Sequence, residues 1–243
     1  MSRRIDNPLL SRPRRSCLYV PGANARALEK AKSLPADAFI LDLEDAVAPK
    51  AKADAREAIR NAVGDRAYGA REVLIRANGL ETEWGQDDLE MAASVGVDGV
   101  LVPKITSGDD ICVADQCLND AGAVPDLGLW AMIETPLAIL NIGEIAAASS
   151  DTRLTGFVIG TNDLAKELNA VPTADRRGFI FSLSAALAAA RAYHLAAIDG
   201  VCNDINNDEA LSAECEQGRV LGFDGKTLIH PSQIDTANRV FSP

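Results

Sequence analysis

Gly128-Leu-Trp-Ala-Met-Ile133, followed directly by Glu134-Thr-Pro136, carries three signals in one short stretch. The apolar run is continuous rather than alternating, as in a parallel strand covered on both faces. Thr135-Pro136 supplies a helix N-cap and a proline at the first helical position. Between them stands an acid, Glu134, at the point where strand gives way to helix. Gly156-Phe-Val-Ile-Gly160, followed by Thr161-Asn-Asp163, repeats the arrangement, with Thr161 as the N-cap of a helix running to Leu168.

Working outward, the same kind of run recurs at Ser16–Val20, Ala38–Leu43, Glu72–Arg76, Gly99–Val102, Ala196–Asp199 and Lys226–Ile229. With Leu129–Ile133 and Gly156–Ile159 this makes eight predicted strands. Most are spaced by about 20 to 40 residues, the length of one βα unit with its return crossover. Asn24–Ser33, Lys50–Val63 and Ser182–Tyr193 read as intervening helices, Asn203–Asp208 as a helix start, and Pro231 opens the last helix. Strands alternating with helices at this length predict an α/β protein, a (β/α)8 TIM barrel forming a single domain. The competing architecture, an open doubly wound sheet, normally carries a glycine-rich phosphate turn after its first strand. Pro21-Gly-Ala-Asn24 is not such a turn. No linker divides the chain, so residues 14–243 are expected to form the barrel and residues 1–13 a flexible N-terminal arm.

Composition narrows the function. The chain has 243 residues, 47% hydrophobic and 24% charged, which is ordinary for a soluble enzyme. A net charge of −11 opposes general binding to nucleic acid or to an anionic membrane. No apolar run approaches the roughly 20 residues needed to span a bilayer, and the N-terminus has no apolar signal region. Cys17, Cys112, Cys117, Cys202 and Cys215 fit no CxxC pattern, so reduced, mostly buried thiols and a cytoplasmic location are expected.

In a barrel all eight βα loops open on one face, and chemistry gathers at the C-terminal strand ends. Asp42, Glu44 and Asp45 follow strand two, Arg76-Ala-Asn78 ends strand three, and Pro103-Lys104 follows strand four. Glu134 follows strand five, Asn162-Asp163 strand six, Asp199 ends strand seven, and His230 follows strand eight. Two acids on neighbouring strands suit Mg²⁺, or Mn²⁺: hard cations that take one or two carboxylates and complete their shell with water and substrate. Singly, Glu134 reads equally as a loop carboxylate and Asp163 as an acid at the positive end of a helix. Arg76 reads either as an anion-binding, oxyanion-stabilising guanidinium or as an ion-pair partner of the Asp42–Asp45 cluster; the two roles are compatible. Lys104 reads as a partner of that same cluster or as a Schiff-base lysine, and a metal site offers another way to polarise a carbonyl. His230 either donates to substrate or caps the rim, and His194 ends the alanine-rich helix structurally.

Taken together, Arg14-Arg-Ser-Cys-Leu-Tyr-Val-Pro-Gly22, Asp42-Leu-Glu-Asp-Ala-Val47, Leu74-Ile-Arg-Ala-Asn-Gly79, Val102-Pro-Lys104, Ile133-Glu-Thr-Pro136, Gly160-Thr-Asn-Asp-Leu164 and Gly225-Lys-Thr-Leu-Ile-His-Pro-Ser-Gln233 resemble the citrate lyase β-subunit-like family of acyl-CoA lyases, within the wider HpcH/HpaI aldolase superfamily. The resemblance implies a homotrimeric or homohexameric barrel that cleaves 3-hydroxyacyl-CoA thioesters of the citryl, malyl or citramalyl type to a 2-oxoacid and acetyl-CoA. On the same ground Glu134 and Asp163 match the magnesium ligands, Arg76 and Glu134 border the substrate, and Glu44 and Asp45 match the acidic pair near the metal waters. One of that pair removes the hydroxyl proton while Arg76 stabilises the charge moving onto oxygen. The N-terminal arginines lie where the barrel mouth meets CoA in such enzymes. The chain ends at Val240-Phe-Ser-Pro243, so the barrel is expected without the C-terminal lid segment of many relatives. Two alternatives stand beside this function: a CoA-independent, metal-dependent aldolase of 2-keto-4-hydroxy acids, and a non-catalytic ligand-binding relative.

Overall fold

Every predicted apolar run forms a strand: β1 (Ser16–Pro21), β2 (Ala38–Asp42), β3 (Glu72–Arg76), β4 (Gly99–Val102), β5 (Gly128–Ile133), β6 (Leu154–Ile159), β7 (Ala196–Asp199) and β8 (Gly225–Leu228). Each pairs in parallel with the next, and β8 returns to β1 with Thr227 opposite Cys17, closing an eight-stranded barrel. The computed structural model describes residues 12–64 and 67–243 of the chain, so residues 1–11 of the expected arm lie outside the described residues.

The helices lie between the strands: α1 (Ala25–Ala31), α2 (Lys52–Val63), α3 (Gly85–Ser94), α4 (Gly108–Asp120), the short pair α5 (Pro136–Leu140) and α6 (Ile142–Ala147), then α7 (Thr161–Leu168), α8 (Ile180–Ala192), α9 (Asp208–Leu221) and α10 (Ile234–Val240). Side chains fix several of their starts. Thr135 Oγ1 accepts from the Ala138 N–H at 3.0 Å with Pro136 at the first position, and Asn207 caps α9 through the Ala210 N–H at 3.0 Å. Thr161 is not the cap of α7, as expected from sequence, but its first residue. The Leu164 N–H already donates to the Gly160 carbonyl at 3.1 Å, which makes Gly160 the cap.

Strand alternation divides the apolar residues into two layers. Phe39, Leu41, Ile75, Val100, Leu129, Phe157 and Ile159 face outward and pack under the helices. Cys17, Ile40, Leu74, Leu101, Trp130, Met132, Val158 and Ile198 fill the barrel itself, with Tyr19 packed against them. Because both faces are buried, the strands read as unbroken apolar runs. All five cysteines are free thiols, Cys17, Cys202 and Cys215 buried and Cys112 exposed.

Charged residues plug the N-terminal end of the barrel. Arg14 is buried, stacks at 5.1 Å on Trp130 and forms a two-pronged pair with Glu72 at 2.5 and 2.8 Å. Arg15 binds Asp37 at 2.8 Å and Arg12 binds Asp98 at 2.6 Å. These arginines therefore stand at the end opposite the mouth, contrary to the expected contact with CoA there. The reason is directional: they precede β1, and every strand of a parallel barrel starts at the same end.

Candidate active site

At the C-terminal strand ends the barrel opens into a cavity of about 380 Å³, lined among others by Tyr19, Asp42, Arg76, Glu134, Gly160 and Asp163. Glu134 leaves β5 almost wholly buried, with 1% of its surface exposed. Gly160, at the end of β6, makes room for it: a Cβ there would stand 2.5 Å from Glu134 Cβ and 2.7 Å from its Oε2. Asp163, on the first turn of α7, completes the pair and is about a third exposed (35%).

Lys104 sits between the two acids. Its Nζ contacts Asp163 and lies 3.4 Å from Glu134 Oε1, while its backbone N–H donates to that same oxygen at 2.8 Å. The sequence expectation paired Lys104 with the Asp42–Asp45 cluster; instead a left-handed backbone, φ 57°, turns it toward β5 and β6. Burial pushes the Glu134 carboxyl above the ordinary glutamate range, with Lys104 opposing. Partial burial acts on Asp163 in the same direction, but the Lys104 ammonium outweighs it and holds that carboxyl low.

Across the mouth, Arg76 ends β3 and is buried against three acids. Its Nε and Nη2 donate to the two oxygens of Asp42 at 2.7 and 2.6 Å. Its Nη1 faces Glu44 Oε2 at 2.8 Å and Asp45 Oδ2 at 3.3 Å. The two-pronged partner is thus Asp42, with Glu44 and Asp45 sharing the remaining nitrogen. Burial disfavours the charge on Arg76, but Asp42 more than offsets this and keeps it protonated. Glu44 behaves differently. Burial outweighs the nearby guanidinium, Asp45 and Glu134 add repulsion, and its carboxyl is pushed up to about 8. The loop bearing these acids is pinned by Lys52, whose Nζ donates to the Leu43 and Glu44 carbonyls at 2.7 Å. Asn78, expected at the rim, instead braces the loop through the Leu43 carbonyl at 3.0 Å and Asp88 at 2.6 Å.

Of two other expected rim residues, Asp199 points away from the mouth and His230 takes the capping alternative. Ala196 and Ile198 point into the barrel, so Asp199 points out. It is fully buried, 2.8 Å from Arg176 Nη1 and 3.2 Å from Lys226 Nζ. His230 is exposed and caps the turn after β8, its Nδ1 accepting from the Ser232 N–H at 3.2 Å. Sequence reading passed over Tyr19 and Gly160. Tyr19 shares the inward parity of Cys17 two positions from the strand end, and Gly160 separates a strand from a helix bearing an acid; those are the signals that mark them.

The donor chemistry fits a hard divalent cation. Glu134 and Asp163 offer only carboxylate oxygens, and a cationic ammonium already lies between them. No third histidine, cysteine, aspartate or glutamate joins them among the described residues, which leaves the rest of an octahedral shell to water and substrate. Among the described residues no helix is long and apolar enough to cross a membrane.

Comparison with known proteins agrees with this geometry. The family described as HpcH/HpaI aldolase/citrate lyase matches residues 15–231. A (3S)-malyl-CoA thioesterase of Cereibacter sphaeroides is 50% identical over 231 residues, 95% of this chain and 78% of that protein. The citrate lyase subunit beta of Escherichia coli is 36% identical over 96% of this chain and 78% of its own length. Among solved structures, the citrate lyase beta subunit of M. tuberculosis complexed with oxaloacetate and magnesium superposes with a TM-score of 0.80 at 29% identity, covering 95% of this chain and 98% of that one. With the closed barrel and the carboxylate pair at its mouth, these matches place the chain in the HpcH/HpaI aldolase/citrate lyase family, whose relatives here are enzymes.

Proposed function

We propose that this chain is a magnesium-dependent carbon–carbon lyase acting on a 3-hydroxyacyl-CoA thioester of the malyl or citryl type. The observation that carries the reading is the division of the mouth into two unlike walls. The Glu134 and Asp163 carboxylates stand together on one side, and Arg76 with its acids, one of them a carboxyl of near-neutral proton affinity, stands on the other. Glu134 and Asp163 would hold Mg²⁺ (or Mn²⁺), which would supply Lewis-acid positive charge to the oxygen-rich end of the substrate.

The residues of the chain supply the rest. Glu44, whose charge is coupled to Glu134, accepts the hydroxyl proton when ionised, with Asp45 beside it on the solvent side. The electron pair of that O–H bond becomes the carbonyl of the 2-oxoacid. The C2–C3 bond breaks, and its electrons pass onto the thioester as an enolate. Arg76 stays charged beside these groups and stabilises the developing negative charge. The enolate carbon regains a proton, giving acetyl-CoA or a homologue.

A second reading is favoured by the 50% identity to a malyl-CoA thioesterase: water attacks the thioester carbonyl and the thiolate leaves. One experiment separates them. Purified protein with Mg²⁺ and (3S)-malyl-CoA is followed for glyoxylate, acetyl-CoA, malate and free thiol. Lyase action yields glyoxylate and acetyl-CoA; hydrolysis yields malate and CoA thiol; no product from any citryl, malyl or citramalyl thioester overturns both. The same reading extends to assembly as a homotrimer or hexamer, which light scattering measures.

A further inference from the structure

We infer that the Tyr19 hydroxyl donates a hydrogen bond to the thioester carbonyl oxygen of the substrate held in the barrel mouth, an inference that rests on the function proposed above. Tyr19 lines the cavity, and its hydroxyl is buried with no hydrogen-bond partner among the described residues. A buried phenol is costly without a partner, and such an orphan calls for an explanation. The ring is not free to swing out: it packs on the interior apolar cluster, and the Arg76 guanidinium lies 5.0 Å from its centroid.

Position gives the donor its target. In the closed order of eight strands β1 stands opposite β5, so Tyr19 faces Glu134 across the mouth. A 3-hydroxyacyl chain whose carboxylate and hydroxyl end lies at Glu134 and Asp163 directs its thioester carbonyl, two carbons further on, toward the Tyr19 wall. Arg76 has Nε, Nη1 and Nη2 engaged with Asp42, Glu44 and Asp45, and Thr227 Oγ1 donates to the Asp199 carbonyl at 2.9 Å. Of these three side chains, Tyr19 is the one whose buried polar atom has no partner among the described residues. Burial raises the phenol's proton affinity, with Arg76 opposing, so it remains a donor. Carbon–carbon cleavage builds an enolate oxygen at this point and hydrolysis a tetrahedral oxyanion. A fixed donor serves either.

Tyr19→Phe removes the hydroxyl and keeps the ring. With Mg²⁺ and (3S)-malyl-CoA, kcat is expected to fall on the order of 10²-fold with KM nearly unchanged and the unfolding midpoint not lowered. An unchanged kcat overturns the assignment. Binding tests it independently of turnover. Acetyl-CoA and S-ethyl-CoA, a thioether without the carbonyl, are titrated into Mg²⁺-loaded wild type and variant. Wild type is expected to prefer acetyl-CoA by about tenfold, and Tyr19→Phe to bind both alike. Equal binding by wild type, or a preference that survives in the variant, overturns it. If wild type releases no product yet shows a preference that the variant loses, the Tyr19 contact stands and the proposed reaction falls.

Discussion

Lys104 presents two groups to one oxygen of Glu134: its backbone N–H donates to Oε1 at 2.8 Å, and its Nζ lies 3.4 Å from the same atom. A left-handed backbone at a residue with a Cβ costs roughly 1–2 kcal/mol, and here it aims the amide at the carboxylate. Lys104→Met keeps the amide and removes the ammonium that competes for the two acids. Mn²⁺ and Mg²⁺ are expected to bind about three- to tenfold tighter in the variant, measured by calorimetry. Equal affinity would show that the ammonium does not compete.

Glu134→Gln and Asp163→Asn each leave a single carboxylate at the cation site. Loss of metal binding and a drop in turnover of at least about 10²-fold are expected from either, and excess EDTA should do the same to wild type. Full EDTA-resistant activity in either variant would remove the metal site from the chemistry.

Gly160 has an ordinary φ of −92°, so its importance is spatial. A methyl group there would strike Glu134 Cβ at 2.5 Å, and neither the strand end nor the buried carboxylate has room to yield. Gly160→Ala is expected to cost about 1–3 kcal/mol of stability in denaturant titration and to weaken metal binding together with it. A variant as stable as wild type, with unchanged metal affinity, would contradict that packing.

The barrel was readable because both faces of each strand are apolar, and because Thr135-Pro136 announces the helix that follows. The same property hid side-chain direction. Ala196, Ala197 and Ile198 are all apolar, so nothing in β7 reveals whether Ala196 and Ile198 face the barrel interior or Ala197 and Asp199 do. Closure of the ring decides it, and closure is a long-range fact. Lys104 was placed at the correct strand end but given the wrong partner, since its direction depends on one left-handed residue that no local pattern marks. Arg76 and the Asp42–Asp45 loop were easier, because β2 and β3 pair with Asp42 directly opposite Arg76.

Glu44 holds its proton up to about 8 in the folded chain, against an ordinary value of 4.5, through burial that Arg76 only partly offsets. The unfolded chain releases that proton first, so between these pH values the native state binds more protons. The stabilisation is complete below pH 4.5 and is lost as pH rises toward 8, with a slope of at most about 1.4 kcal/mol per pH unit. Glu44→Gln should flatten that part of the stability–pH curve in denaturant titrations. Turnover depends on the ionised form, so in wild type it should rise toward pH 8 and in the variant fall by about 10²-fold or more. A stability–pH curve of unchanged shape would place the buried proton elsewhere.

Asp199 lies outside the barrel wall, between two buried cations. Arg176 reaches it at 2.8 Å from the segment before α8, and Lys226 at 3.2 Å from β8. Lys226 also meets Glu214 at 2.9 Å and donates to the Gly200 carbonyl at 2.6 Å, so one cluster joins β7, β8, α9 and the loop beneath the mouth. Burial opposes ionisation of Asp199, but the two cations outweigh it and hold the carboxyl low. Asp199→Asn leaves Arg176 and Lys226 buried with less than their compensating charge. Removing one partner of a buried ionic group costs about 3–5 kcal/mol. The variant is expected to lose that much stability by urea titration while keeping its metal affinity, because Asp199 does not reach the cavity. Lys226→Met, which fills the same volume without charge, leaves Asp199 paired with Arg176 alone and should cost less when made together with Asp199→Asn than the two single losses added. Additive losses would mean that Asp199 and Lys226 are neighbours without being energetically coupled.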